Sequence, residues 1–516
     1  MGLATNCNNP ELEWVVQKYG GTSIGKYAFE IAKDIIRYGA VGNAAPEPGC
    51  RGVLGPKHHI QGGRHYNTAS RSRGAAPLGC LATLQTKLQV IVEEHIAAVA
   101  PSLGSKASQH SFSERLALES QNTVSAVAGA LFSDKYDYGF VQDLLMSLGE
   151  KLSCLCMVAI LQDLDIEAEY VDLSTILPRH SAATAKCPSS YAALSTAIAR
   201  RLSACGTRVP VITGFFGCSD GDGGMLASAV GRGYTDLCAA LCAVGLGAAA
   251  LQIWKEVDGI LTADPSRVPR AQLIPHMSLA EAAALTEHGS EVVHALAIRH
   301  VMEAAPGMAL CIRNVKRPAG AGTVVAARAG EAANDSDTEC TSLKSVEVFC
   351  RAVTVKNNVC VLHLRPREGT SCFPKRAKTF SRDAATVEFT TPDASRLSPS
   401  SKSRRWPTFY WSYIKRFLFG PGRSGSSQSA SVITLICSRA DGHGRLASQV
   451  RAILRSERIP STLLPQGKSG ITISKYMIVL ANDGHSRRLW VHLMCCAFAR
   501  HVTGYEPLTR PALLAL

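Results

Sequence analysis

The stretch from Gly231 to Pro265, GRGYTDLCAALCAVGLGAAALQIWKEVDGILTADP, constrains the fold more than any other part of the chain. It opens on a glycine-flanked Arg232 and a Thr235-Asp236 pair, runs through an apolar helical segment from Leu237 to about Leu246, and pauses at Gly245 and Gly247. Leu251 to Trp254 reads as a buried strand, and Lys255 to Gly259 turns the chain at its carboxyl end. Loop, helix, strand and charged loop in this order predict an α/β sheet, in which ligands bind beyond the carboxyl ends of the strands. Asp236 stands at a helix N-terminus, Gly231 and Gly233 permit close backbone approach, and Arg232 offers a planar donor fork to a carboxylate or phosphate. A plainer reading is an N-cap aspartate, a solvated arginine and turn glycines. The segment alone leaves both open.

Composition narrows the class. A chain of 516 residues with 46% hydrophobic and 19% charged content has room for two or three domains with real cores. Its net charge of +14 suits acidic ligands such as nucleotides. Nucleic acid is not expected, because aromatics are few and no zinc-finger spacing or RNA-binding signature is present. The 18 cysteines, such as Cys154, Cys156, Cys238 and Cys242, lie in apolar segments without paired C-x-x-C spacing, which predicts reduced core thiols and a cytoplasmic protein. The N-terminal MGLATNCNNPELEW has no apolar signal core, and Asn6 stands where a myristoylation signal wants Ser or Thr. No apolar run reads as long and clean enough to span a membrane, so no membrane partner is expected.

Along the chain, Trp14 to Tyr19 predicts a strand, and Gly20-Gly21-Thr22-Ser23 then leads to a helix from about Lys26 to Arg37. Strand, glycine pair, hydroxyls and helix start form a phosphate cradle within reach of Lys18, or an ordinary strand-to-helix turn. Residues 40 to 110, rich in Gly, Pro, His and Arg, read as loop or disorder. A helix is predicted over Asp143 to Leu164, with Glu150 on it, a strand over Glu169 to Leu173, and an apolar strand running into a glycine turn over Val209 to Gly217. The Cys218 to Gly224 loop lacks an EF-hand register, so no metal site is assigned there. His294 is expected to be a packed structural histidine, and Ile312 to Val315 a closing strand. Ala326 to Asp337 reads as a linker, with strands following near Val353 to Lys356 and Val359 to Leu362. Arg367 to Ser429 is basic and Ser-rich, with a WPTFYWSYIKRFLFG segment that reads as a membrane-surface patch or an artefact of exon prediction. Order is expected again at Val432 to Ile436, in a helix over Arg445 to Ser456, and in strands near Ser461 to Leu464 and Gly470 to Leu480.

KYGGTS, SLGEKLS, PVITGF, GRGYTD and QIWKEVDGILTADP, in this order and spacing, resemble the aspartokinases, the fungal ones most closely. The resemblance implies an amino acid kinase fold, a three-layer αβα sandwich over 12–325, then an ACT-like α+β (ferredoxin-like) regulatory region. Within that region it implies a linker at 326–342, the remnant of a first ACT module at 343–366, an ACT-like module at 431–495 and a tail at 496–516, while the basic, Ser-rich composition of 367–430 predicts a disordered insert. It implies ATP, Mg2+ and L-aspartate as partners, 4-phospho-L-aspartate as product, and a homo-oligomer. By resemblance Lys18 and Asp236 are catalytic, and Gly20, Gly21 and Ser23 hold phosphate oxygens. Lys255, Glu256, Asp264 and Arg267 belong to the nucleotide pocket, Glu150 receives the substrate amino group, and Arg232 and Thr235 bind the rest of aspartate.

The chain departs from the family in three places. Only Ala69 to Ser72 matches the end of the second core strand, and the Thr-Asn turn that helps bind aspartate is not located. Ser266 stands where an arginine usually follows Asp-Pro, with Arg267 one place on. Ala295 replaces the proline that usually follows His294. These departures keep two alternatives in view: a catalytically weak regulatory paralogue that pairs with an active aspartokinase, and another small-carboxylate kinase. The eroded ACT region also predicts weak feedback by threonine or lysine. That would suit a dedicated fungal pathway, such as one to a fusaric-acid-like toxin.

Overall fold

The computed structural model describes residues 13–36, 51–55, 77–131, 138–174, 176, 191–216, 234–266, 268, 271–287 and 292–327, and strands at 350–364, 395–397, 427–437, 461–466 and 474–480. The chain divides into two compact units, the first comprising Met1–Ile260, Pro275–Leu279 and Val292–Ala332, the second Leu261–Ile274, Ala280–Glu291 and Ala333–Leu516.

The first unit is built on an eight-stranded sheet. Its strands are β1 (Trp14–Tyr19), β2 (Arg51–Gly55), β3 (Ala168–Val171), β4 (Val209–Ile212), β5 (Ala250–Lys255), β6 (His276–Ser278), β7 (Ala309–Asn314) and β8 (Thr323–Ala326), in the order β3-β4-β2-β1-β5-β7-β8-β6. Every pairing is parallel except β7 with β8. The helices are α1 (Gly21–Glu30), α2 (Pro77–Val99), α3 (Lys106–Leu131), α4 (Tyr138–Asp163), α5 (Tyr191–Ser203), α6 (Tyr234–Leu246), α7 (Leu279–Glu287, mostly in the second unit) and α8 (Ala295–Ala304). A π-helical segment, Ile31–Ile36, continues α1.

Strand alternation sorts these helices into two layers. Tyr19 and Trp254, opposite each other on β1 and β5, join Leu148, Leu152, Met157 and Leu161 of α4 and the apolar faces of α1 to α3 in one core. Lys18 is adjacent to Tyr19 in the strand and meets α6, which packs with α5 and α8. The result is the αβα sandwich expected. On the same face of the sheet as those two rings, Gln17 Nε2 donates to Gln252 Oε1 (3.1 Å) across the β1–β5 register, with Tyr19 and Trp254 donating to the same two side chains.

The joint between α5 and α6 depends on Gly245. A Cβ there would lie 2.2 Å from the Ser195 carbonyl oxygen, and backbone cannot move aside as a side chain can. Gly245→Ala is therefore expected to cost about 1–3 kcal/mol, read as a lower denaturation midpoint. An unchanged midpoint would mean the helices can separate without loss. His300 of α8 meets Tyr191 of α5 edge-on at 5.4 Å. Burial pushes its pKa below the usual imidazole value of 6.5, with Glu303 pulling weakly the other way. Because the folded value is the lower one, its stabilising contribution is intact above the unfolded pKa of about 6.5 and is lost as pH falls through the folded value. Thermal scans at neutral and mildly acidic pH should show a smaller acid-induced drop for His300→Leu than for the parent chain.

Four expectations are corrected. Residues 40 to 110 are not wholly loop: they contain β2, all of α2 and the start of α3. Leu84, Leu88, Val92 and Val99 bury one face of α2, a stripe hidden in the sequence by the Gly- and Pro-rich run before it. The second core strand ends at Gly55, which pairs with Lys18, and Ala69 to Ser72 lie outside the described residues. One stretch, Leu144–Asp163 of α4, is long and apolar enough to cross a membrane by length and composition, and 72% of its most apolar window is buried inside the protein. The helix expected from Lys26 begins at Gly21 and kinks at Tyr27 (φ −132°, ψ 25°).

In the second unit, β9 (Cys350–Leu364), β10 (Ser395–Leu397), β11 (Ser427–Cys437), β12 (Ser461–Gln466) and β13 (Ser474–Leu480) form an antiparallel sheet in the order β10-β9-β11-β13-β12. β10 and the first residues of β11 fall inside the 367–430 stretch expected to be disordered, and β9, within the expected remnant at 343–366, pairs with β11. The helix expected over Arg445 to Ser456 lies outside the described residues.

Candidate active site

β1 lies between β2 and β5, where the chain has wound outward in both directions, so a crevice opens beyond its carboxyl end. Lys18 is the penultimate residue of β1. Its Nζ is 2.6 Å from Asp236 Oδ1, and the two side chains are 5% and 4% exposed. Asp236 lies in the first turn of α6, and its Oδ2 accepts from the main-chain N–H of His294 (3.0 Å). His294 is the N-cap of α8, and its Nδ1 accepts from Leu296 N–H (3.2 Å). The Asp236 carboxylate thus joins β1 to the N-termini of two helices, whose partial positive charge favours it.

Directly after β1, Gly20 is the N-cap of α1 in extended conformation, with no side-chain cap. Gly21, Thr22 and Ser23 supply the first-turn N–H groups, which by position have no acceptor within the helix. Ser23 is buried. Lys18, Gly20, Gly21 and Ser23 therefore converge at one strand-to-helix joint.

Beyond β4, Thr213 Oγ1 accepts from Leu173 N–H and donates to Phe215 O, both at 3.0 Å, and Tyr234 stacks on Phe216 at 4.6 Å while its hydroxyl donates to the Phe216 carbonyl. Gly214 sits between a side chain of α4 and one of α6. A Cβ there would lie 2.4 Å from Thr235 Cγ2 and 3.1 Å from Glu150 Oε2. Glu150 and Thr235, both buried, are thereby brought together around Gly214, and Thr235 Oγ1 has no hydrogen-bond partner among the described residues. Cys154 and Cys238, behind this cluster, donate to Ile212 O (3.1 Å) and Thr213 O (3.8 Å). Burial raises the Cys154 thiol well above its usual range, and the Cys242 contact followed by burial does the same for Cys238. Cys154, Cys156, Cys205, Cys238 and Cys242 are buried free thiols, in keeping with the expected reduced core thiols.

On the other side, Lys255 ends β5 and its carbonyl accepts from Val315 N–H (2.8 Å). Glu256 is 3.3 Å from Lys316 Nζ and 3.9 Å from Lys26 Nζ, so it is already engaged by cations. Asp258 accepts from Asn314 Nδ2 (2.8 Å) and pairs with Arg317. Arg313 lies over Trp254, which stacks with Tyr19. Asp264 lies in the second unit, where its Oδ1 accepts from Ser266 N–H (2.9 Å) and Oγ (2.7 Å). Arg232 and Arg267 lie outside the described residues. The sequence reading did not single out Gly214, Asn314, Lys316 or Arg317. The basic run NVKR after the closing strand was the available signal for the last three.

A glycine cradle, a buried Lys–Asp pair and a strand-end crevice are the features of an amino acid kinase, and the model of the amino acid kinase family matches residues 70–314. Aspartate kinase FUB3 of Gibberella moniliformis is 31% identical over 487 residues, covering 89% of this chain and 94% of its own. The aspartokinase of Saccharomyces cerevisiae is 36% identical over 382 residues, covering 69% and 68%. The solved structure of Escherichia coli aspartokinase III with aspartate and ADP aligns with a TM-score of 0.65 at 20% identity, covering 94% of this chain and all of that one, a likeness of fold. The chain belongs to the aspartokinase family and is an ATP-dependent kinase.

Proposed function

We propose that this kinase transfers the γ-phosphoryl group of ATP to the β-carboxylate of L-aspartate, giving ADP and 4-phospho-L-aspartate. The observation that carries the reading is the buried Lys18–Asp236 pair beside the uncapped start of α1. A bound nucleotide supplies the transferable phosphoryl group. The N–H groups at Gly21 to Ser23, with Lys18, fit its phosphate oxygens, and Asp236 holds the Lys18 ammonium in place. The acceptor carboxylate is already a nucleophile, so the residues position and neutralise rather than remove a proton. Glu150 takes the substrate ammonium and Thr235 Oγ1 a carboxylate oxygen, with Arg232 as the partner of the α-carboxylate. Lys255 and Glu256 serve the nucleotide side, and for Asp264 and Arg267 a nucleotide role rests on the family resemblance alone. Mg2+ is expected to enter on the nucleotide's phosphates, keeping several waters.

A coupled ADP-release assay with aspartate, glutamate or no acceptor tests this. Aspartate-dependent release well above both controls is expected. Preference for glutamate would favour another carboxylate kinase, and silence with every acceptor would favour a regulatory paralogue. We infer further a cytoplasmic homo-oligomer serving a dedicated fungal pathway, such as one to a fusaric-acid-like product, with little feedback control. The basic, Ser-rich composition of the 367–430 stretch supports weak effector binding. Threonine, lysine and methionine should each leave turnover nearly unchanged, and half-inhibition at sub-millimolar concentration by any of them would remove that support.

A further inference from the structure

The geometry points to His294 as a positioning residue for phosphoryl transfer, its main-chain N–H fixing Asp236 and its imidazole holding that N–H in place. This rests on the reading that Lys18 and Asp236 serve the reaction. Each oxygen of the Asp236 carboxylate has its own anchor: Oδ1 faces Lys18 Nζ at 2.6 Å, and Oδ2 accepts from His294 N–H at 3.0 Å. A carboxylate held at both oxygens cannot rotate, so the ammonium it steers is fixed as well. The His294 N–H points correctly only while the residue keeps its extended conformation (φ −74°, ψ 136°), and the ring maintains this by accepting from Leu296 N–H at 3.2 Å. Behind the cap, Ala297, Ile298 and Val301 are buried, and α8 packs against α6, the helix that carries Asp236. The cap therefore links two packed helices through a single carboxylate. The effect of His294 passes through Asp236.

The experiment uses the full-length protein and three substitutions. His294→Ala removes the ring acceptor and is expected to lower kcat about tenfold, with KM for aspartate and for ATP each within about twofold of the parent. His294→Asn keeps a short N-cap acceptor and should restore kcat to within about threefold. Ala295→Pro restricts His294 to the conformation it already holds and suits the first helical position, so it should keep kcat and raise Tm. In an Asp236→Asn background, His294→Ala should cause little further loss, because both act through one carboxylate. Parent-like kcat in His294→Ala, a rise in aspartate KM that accounts for the loss, or an Asn variant as impaired as the Ala variant would each overturn the inference. If His294→Ala fails to fold, the Asn and Pro variants decide: retained turnover in both supports the inference, and an Asn variant as inactive as Asp236→Asn overturns it. Full turnover in Asp236→Asn itself would sink the parent reading and this inference together. Loss in Asp236→Asn without loss in His294→Ala would sink this inference alone.

Discussion

Lys18→Met is expected to lower kcat by about 10²-fold or more, since it removes a preorganised charge from the transferring phosphoryl group. It should also destabilise the fold. Asp236 is 4% exposed at its side chain, and without Lys18 its carboxylate stays buried opposite a methyl group. Leaving one member of a buried ion pair unpaired costs about 3–5 kcal/mol. The two effects can be separated. Adding Asp236→Asn to Lys18→Met removes the unpaired charge and should return most of the lost stability, yet it cannot return the missing ammonium. Denaturant midpoints and kcat for the two single variants and the double variant make the comparison. Recovery of midpoint without recovery of kcat is the expected pattern. Near-parental turnover in Lys18→Met would remove Lys18 from the reaction, and activity that recovers along with stability would reduce the pair to scaffold.

The second large effect concerns the substrate end. Glu150→Gln keeps the shape of the side chain and loses its charge, and KM for aspartate should rise about 10- to 100-fold, the worth of a charge-assisted hydrogen bond. KM for ATP should stay within about twofold. Gly214→Ala should give the same selective rise by a steric route. Its new Cβ would meet Thr235 Cγ2 at 2.4 Å and Thr235 Cβ at 2.8 Å, and Thr235 is anchored in the first turn of α6. Relief of that clash has to displace Thr235 or Glu150. Equal rises in both KM values would put this cluster in the scaffold or at the nucleotide instead.

The parts of this architecture readable in the sequence are those in which periodicity and local chemistry agree. Trp14 to Tyr19 alternates into a strand and Gly20-Gly21 ends it; Leu237 to Leu246 is apolar throughout and lies between sheet and neighbouring helices. β2 was not readable, because RGVLG is five residues with two glycines and becomes a strand only by pairing with β1. α2 was hidden because the glycine- and proline-rich run before it outweighed its own buried stripe. At the site, Lys18 and Asp236 are 218 positions apart, and the family motifs rather than spacing brought them together. The His294 contact with Asp236 was invisible for a different reason: the donor is main chain, and residue identity says nothing about which N–H faces a carboxylate. Gly214 read as a turn glycine, and the nearness of Thr235 and Glu150 shows that the position cannot accept a side chain.

The central claim is that phosphate is transferred to the β-carboxyl group of aspartate. An acyl phosphate made there reacts with hydroxylamine to give the β-hydroxamate, which mass spectrometry separates from the α-isomer and from glutamyl hydroxamate. Incubating the full-length protein with Mg-ATP, L-aspartate and hydroxylamine should yield aspartate β-hydroxamate in step with ADP, and Lys18→Met should yield neither. ADP released without hydroxamate, or hydroxamate formed on another acceptor in preference to aspartate, would contradict the account.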